Sequence, residues 1–172
     1  AYNFADNHDV NRVASVLRNP AHLYPLHLLL FTIPGVPSVY AGSEFGIEGV
    51  KAGGDDRPLR PALASPTAAA ARGKYPDLAE AVTRFATVRR GSPALRRGTY
   101  RPLHVASEQF AFERATEGER AVVVVNAANA PTRLEIPLSA GDGDAFADAL
   151  EPDRVFEVKA GKLRVEVPPC YG

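Results

Sequence analysis

The sequence predicts an α/β segment followed by an all-β antiparallel sandwich. Three observations carry that prediction. Near the start, short apolar runs flank a helical stripe, the pattern of a strand–helix–strand unit. From Gly98 onward the apolar period drops to two. In that second half, turn-forming residues separate the runs at intervals of roughly ten residues, as in sandwiches of short strands. At 172 residues the chain is long enough for one domain or two small ones with a sizeable core.

Tyr2 to Ala5 reads as a short strand that runs into the polar cluster Asp6-Asn7-His8-Asp9. Leu23, Leu26, His27, Leu30 and Phe31 then fall at helical spacing. Asn19 suits the N-cap of that helix and Pro20 its first position. The helix should end before Pro34-Gly35, because proline lacks an amide to donate and glycine tolerates left-handed backbone. Ser38-Val39-Tyr40-Ala41 follows as a short buried strand, parallel to the opening one. Phe45 to Pro76, rich in Gly, Pro, Ala and charge, reads as loop with room for a turn of helix. Inside it, Asp55-Asp56-Arg57-Pro58-Leu59-Arg60-Pro61 has the composition of a solvated loop held by local ion pairs, each worth only ~0–1 kcal/mol.

Tyr75-Pro76-Asp77-Leu78 opens the next helix, with Pro76 or Asp77 near its cap. Leu78, Val82, Phe85, Ala86 and Val88 form its apolar face, and Arg89 and Arg90 fall in the last turn, where positive charge suits the helix dipole. Gly91-Ser92-Pro93 should end it. The strand-like runs are Tyr100, Leu103 and Val105; Phe110 and Phe112; Val122 to Val125; Leu134, Ile136 and Leu138; Val155, Phe156 and Val158; and Leu163, Val165 and Val167. Thr116-Glu117-Gly118-Glu119 and Ala160-Gly161-Lys162 read as two of the turns between them.

Composition excludes several classes. With 20 basic and 20 acidic residues the chain shows no electrostatic footprint for nucleic acid or an anionic membrane. Its longest apolar run, Leu28 to Val39, is too short to span a bilayer and contains Pro34 and Pro37. The single cysteine, Cys170, rules out an internal disulfide and leaves the compartment, cytoplasmic or secreted, open.

The cluster Asp6-Asn7-His8-Asp9 has two readings. At the carboxyl end of a strand, polar groups face the site in barrel enzymes. A histidine beside a carboxylate can hold sugar hydroxyls, and neighbouring carboxylates perturb each other's proton affinity. Alternatively, Asn7 or Asp9 caps a helix starting near Val10. Local residues alone leave both open.

Phe4-Ala5-Asp6-Asn7-His8-Asp9 resembles the fourth sequence region of the alpha-amylase family of glycoside hydrolases. Pro34-Gly35-Val36-Pro37-Ser38-Val39-Tyr40-Ala41-Gly42-Ser43-Glu44 resembles that family's Pro-Gly-x-Pro-x-x-Tyr-x-Gly-x-Glu segment around the eighth barrel strand. Phe85 to Leu95, continuing to Phe110-Ala111-Phe112-Glu113-Arg114, resembles its last barrel helix and the entry to its C-terminal β-domain. The matches follow the family's order over nearly the whole chain.

The resemblance implies the last strand–helix units of a (β/α)8 barrel in residues 1–92 and a C-terminal β-sandwich domain in 93–172. It implies the C-terminal portion of a retaining enzyme acting on α-glucans, whose nucleophile and general acid lie upstream of Ala1, so that the piece alone is inactive. It assigns Asp9 the third carboxylate of the site, the transition-state stabiliser. His8 becomes a donor to sugar hydroxyls, Asn7 a site residue that orients the loop, and Arg12 a substrate-binding candidate. Carboxylate pairing or a plain helix-surface position remains open for Arg12.

Glu44 is read as a loop anchor and Tyr40 as packing. His22 and His27 are read as helix residues with satisfied rings, and His104 as a sandwich residue. Several family members carry an Asp/Arg/Pro segment that shapes the active-site rim, but Asp55–Pro61 departs from the commoner Arg-x-Pro-Met form. No cofactor is expected in this chain, since the family's calcium ligands lie upstream. The expected partner is an α-glucan, with neither nucleic acid nor membrane. Barrel surface at Tyr2, Phe4, Val39 and the Leu26–Leu30 stripe is expected to be exposed and to favour self-association. The alternatives are a catalytically silent amylase-like scaffold and a carbohydrate-binding piece. The absence of Trp leaves the latter few sugar-stacking candidates. Linkage preference, α-1,4 or α-1,6, is not written in these residues.

Overall fold

In the computed structural model, which describes residues 1–75, 77–139 and 141–172, strand β1 (Tyr2–Phe4) lies parallel to β2 (Val36–Ser38). The pairing is as expected, but β2 sits earlier than Ser38–Ala41. Gly35 is the reason. Its φ of +119° turns the chain directly into the sheet, and the Val36 amide already donates to the Ala1 carbonyl at 2.9 Å. A side chain at Gly35 would meet Asn3 Nδ2 at 2.6 Å, so only glycine fits this approach. Tyr2 and Phe4 are exposed, as expected, and so is Val36, while Val39 is half-buried.

Helix α1 (Val13–Val16) is a single turn, and α2 (Leu23–Thr32) follows a 3-10 turn at Pro20–His22. Asn19 caps that turn through its side chain, which accepts from the Ala21 amide. Leu23, Leu28, Leu30 and Phe31 are buried, so the α2 stripe is covered and not left open as expected. The segment read as loop contains a seven-residue helix, α3 (Pro66–Arg72), capped by Ser65 with Pro66 at its first turn. Helix α4 (Leu78–Gly91) buries Leu78, Val82 and Phe85, with Arg89 and Arg90 in its last turn as expected. Pro76, expected near its cap, lies outside the described residues. Ser92-Pro93 does not simply end α4. It starts α5 (Pro93–Arg97), where Ser92 Oγ accepts from the Leu95 amide.

The described chain forms two compact units: Ala1–Phe31 with Gly35–Ala86, and Thr32–Pro34 with Thr87–Gly172. In the second unit, β3 (Thr99–Val105), β4 (Gln109–Ala115) and β5 (Arg120–Asn126) make one antiparallel sheet in that order. The other sheet contains β6 (Thr132–Pro137), β7 (Ala145–Ala147), β8 (Val155–Lys159) and β9 (Lys162–Val167), in the order β6-β9-β8-β7. Strand β7 was not expected, because its three residues carry too little alternation. Ala111 packs with Leu134, Ile136, Leu138, Val158 and Leu163 in the shared core. The step of three from Tyr100 to Leu103 marks a real irregularity: the β3–β4 register shifts between Pro102 and His104.

Four successive residues of β4, Ala111 to Arg114, are buried, as in a strand covered on both faces. Two of them are charged. Arg114 satisfies its guanidinium on three carbonyls of its own unit, Thr32 at 2.7 Å, Gly98 at 2.9 Å and Thr99 at 2.9 Å. Glu113 lies between Arg101 (2.8 Å) and Arg120 (2.5 Å). Burial pushes the Glu113 carboxyl up, but hydrogen bonds from these two arginines outweigh it and hold the group below its usual range.

A folded-state value below the unfolded one means this stabilisation is complete above the unfolded pKa and disappears as pH falls through the folded one. The second unit should therefore weaken as pH drops below about 4. Glu113→Gln should cost about 1–3 kcal/mol at pH 7 by orphaning charged donors, and should flatten the acid loss. Urea unfolding of the 172-residue chain at pH 7 and pH 3 checks both; equal losses in wild type and variant on acidification would contradict the assignment.

Candidate active site

Beyond β1 the chain turns so that Asp6 points inward while His8 and Asp9 remain more than half exposed. Asp6 is 2% exposed and fully engaged: Oδ1 accepts from Ser43 Oγ at 2.6 Å and Oδ2 from the Val13 amide at 2.9 Å. The carboxylate that meets the start of α1 is thus Asp6. Neither Asn7 nor Asp9 caps a helix at Val10; residues 10–12 are not helical.

Arg12 has no exposed surface. Its Nη2 donates to the Ala41 carbonyl (2.8 Å) and Ser43 Oγ (3.3 Å), Nη1 donates to the Leu59 carbonyl (3.3 Å), and Nε stands 3.5 Å from Asp6 Oδ2. The guanidinium carbon sits 4.4 Å from the centre of the Tyr40 ring. Gly42, at φ +92°, brings the loop against this head group; an added Cβ would lie 3.1 Å from Nη2. Of the three readings of Arg12, pairing with a carboxylate is the one the structure contains. A side chain sealed in this way cannot touch a sugar, so the substrate-binding expectation is replaced by support beneath the site.

Above this floor, Asn7 Oδ1 accepts from the Asp9 amide at 2.8 Å, a local turn that sets the loop as expected. His8 Nε2 lies 3.3 Å from Asp9 Oδ2. The rings of His8 and Tyr40 are 6.4 Å apart, so Tyr40, read as packing, stands between the buried arginine and the exposed histidine. Glu44 is the loop anchor expected of it, its Oε2 accepting from the Gly42 amide at 2.7 Å. His27 is buried, with Nδ1 donating to the Leu23 carbonyl at 2.7 Å. Burial pushes its pKa down, against the raising effect of that carbonyl and of Asp6 and Glu44. It is a neutral core histidine.

One residue of the site was missed in the sequence. Arg60 donates through Nη2 to Asp9 Oδ1 at 3.1 Å and through Nε to the His8 carbonyl at 3.2 Å. The loop does contain the local ion pairs expected of it, Arg57 with Asp55 (2.9 Å) and Lys51 with Asp56 (2.8 Å). The hydrogen bonds from Arg57 and Lys51 hold those two carboxyls below their usual range. What no local pattern reveals is that the same loop reaches the His8-Asp9 pair. The available signal was the likeness of Asp55–Pro61 to a rim-shaping Asp/Arg/Pro segment, weakened by its departure from the Arg-x-Pro-Met form. Among the described residues no group of three or more His, Cys, Asp or Glu side chains could hold a metal ion. No helix of the described residues is long and apolar enough to cross a membrane.

Comparison with known proteins points one way. The family model for the alpha amylase catalytic domain matches residues 1–112. Alpha-amylase MalA of Haloarcula japonica is 32% identical over 94% of this chain and 25% of its own length. A cyclomaltodextrinase of Geobacillus thermopakistaniensis is 27% identical over 100% of this chain and 28% of its own. The chain thus spans only about a quarter of either relative. Among solved structures, an alpha-amylase of Geobacillus thermoleovorans complexed with acarbose superposes with a TM-score of 0.84 at 19% identity, over 98% of this chain and 37% of that one. Ttha1563 from Thermus thermophilus gives 0.80 at 32% identity, over 98% and 34%.

The buried Asp6–Arg12 arrangement sets the expectation for mutation. Arg12→Met keeps volume but leaves a buried carboxylate without its counter-charge and two carbonyls without their donor. It should destabilise by about 3–5 kcal/mol, the usual loss when one partner of a buried pair is removed. Hydrogen exchange resolved to residues 1–60 is the measurement; unchanged protection across Asp6, Ser43 and Leu59 would refute the role.

Proposed function

The chain belongs to the alpha-amylase family, and from that premise we propose that it serves as the C-terminal part of a retaining glycoside hydrolase that cleaves α-glucosidic bonds in starch-like oligo- and polysaccharides. Residues 1–92 contribute the end of the catalytic barrel and 93–172 the sandwich domain. The observation that best supports this reading is the contrast within one loop. Asp6 and Arg12 are buried and fully committed to structure, while His8 and Asp9 stand exposed on the support those residues make. A carboxylate and an imidazole held open beside each other are suited to polar ligand groups, and family membership makes a sugar that ligand.

In such an enzyme the nucleophile and general acid, about 5–5.5 Å apart, come from upstream residues. Asp9 acts as the third carboxylate. It accepts hydrogen bonds from ring hydroxyls while the sugar distorts toward an oxocarbenium-like transition state, and its charge raises the proton affinity of the neighbouring acid. His8 donates to hydroxyls of the same ring, and Asn7 fixes the turn that presents both. Arg12 acts from below without touching substrate. The exposed pair at His8 and Asp9 weighs against a silent scaffold.

Replacing Asp9 by Asn preserves shape and removes charge. In the longer enzyme, turnover on soluble starch should fall by roughly 10²-fold or more, with the melting temperature almost unchanged, as expected for a group acting mainly on the transition state. Near-normal turnover would sink the assignment. The purified 172-residue chain should release no reducing sugar from maltooligosaccharides above a buffer blank, because one carboxylate and one histidine cannot supply both nucleophile and acid.

A further inference from the structure

We propose that Arg60 is a positioning residue of this site, fixing the Asp9 carboxylate and the His8 backbone in the geometry that meets the substrate. The proposal rests on the reading of Asp9 given above. An isolated surface ion pair would carry no such weight, since exposed pairs contribute little and sample many geometries. Arg60 differs because its contacts and its own backbone are both constrained. The planar guanidinium spans two acceptors on adjacent residues, the His8 carbonyl through Nε and Asp9 Oδ1 through Nη2. Nη2 also faces Asp56 Oδ2 at 3.4 Å, and Asp56 is held in turn by Lys51. Asp56 and Asp9 therefore hold the same nitrogen of Arg60 between them.

The backbone that presents Arg60 is equally fixed. Leu59, the preceding residue, is completely buried, and its carbonyl accepts from Arg12. The Arg60 amide closes a 3-10 turn by donating to the Arg57 carbonyl at 3.1 Å. Arg12 thus joins the two sides of the site from below, through Asp6 on one and Leu59 on the other. Arg60 joins them again at the surface. Planar, two-pronged recognition of this kind is what arginine supplies and lysine does not.

The test uses the longer enzyme with four variants: Arg60→Ala, Arg60→Lys, Asp9→Asn and the double variant Arg60→Ala/Asp9→Asn. Arg60→Ala should lower kcat on maltooligosaccharides by roughly 10- to 100-fold, the scale of a misplaced reacting group, with KM and melting temperature little changed. Arg60→Lys should melt like wild type yet recover only part of the rate. In the Asp9→Asn background Arg60→Ala should cost far less than in wild type, because most of its effect passes through Asp9 and only the share carried by the His8 backbone remains. Added guanidinium ion should partly restore Arg60→Ala and leave the double variant unmoved.

Full additivity of the two losses, a lysine variant equal to wild type, or Arg60→Ala within about twofold of wild type would overturn the proposal. If Asp9→Asn is itself fully active, the reading of Asp9 fails and this proposal falls with it. If Asp9→Asn is inactive and Arg60→Ala normal, the positioning role alone fails.

Discussion

The first unit depends on one buried ion pair. Asp6 and Arg12 are six positions apart, and the loop between them carries the exposed His8 and Asp9. Their burial is tolerable only because nearly all remaining hydrogen-bonding capacity is met: Asp6 by Ser43 and the Val13 amide, Arg12 by carbonyls of Ala41 and Leu59. Through those partners the pair connects the end of β1, the start of α1, the turn around Gly42 after β2 and the buried Leu59. A hydrophobic substitute of equal volume would fill the space without fixing the register of four segments. Removing either charge strands the other, which makes the arrangement all-or-none and keeps the loop above it in one shape.

The second unit solves a similar problem in another way. Its strand β4 is covered on both faces, yet it carries Glu113 and Arg114 in succession. Glu113 is neutralised by two cross-strand arginines that keep part of their surface in water, and Arg114 by three backbone carbonyls. Neither group needs a fully buried opposite charge. The sheet therefore avoids the heaviest desolvation cost, which the first unit accepts at Asp6 and Arg12.

These differences explain what could be read from residues alone. The sandwich strands were legible because alternation is a local property, and even the β-bulge left its trace in the three-residue step from Tyr100 to Leu103. The parallel pairing of β1 and β2 followed from strand–helix–strand logic, but the register of β2 did not, because the positive φ at Gly35 sets where pairing begins. Helices α3 and α5 escaped because each is a short segment whose serine cap and first-turn proline also read as turn residues. At the site, His8 and Asp9 were legible as neighbours in sequence. Arg60 was not, since 51 positions separate it from Asp9. Arg12 was visible as a candidate but its burial was not, because the atoms that seal it come from Gly42, Ser43 and Leu59.

The hairpin at Ala52–Asp55 has an evolutionary consequence. Its tip, Gly53-Gly54, has open space around both residues, whereas its flanks are tied down at Lys51, whose amide donates to Asn11, and at the buried Leu59. Inserted or deleted residues at such a tip disturb little backbone that is packed or hydrogen-bonded. Lineages sharing this scaffold can therefore lengthen or shorten this tip while the root held at Lys51 and Leu59 stays in place. Variation in length at the tip is thereby uncoupled from the backbone that carries Leu59 and Arg60.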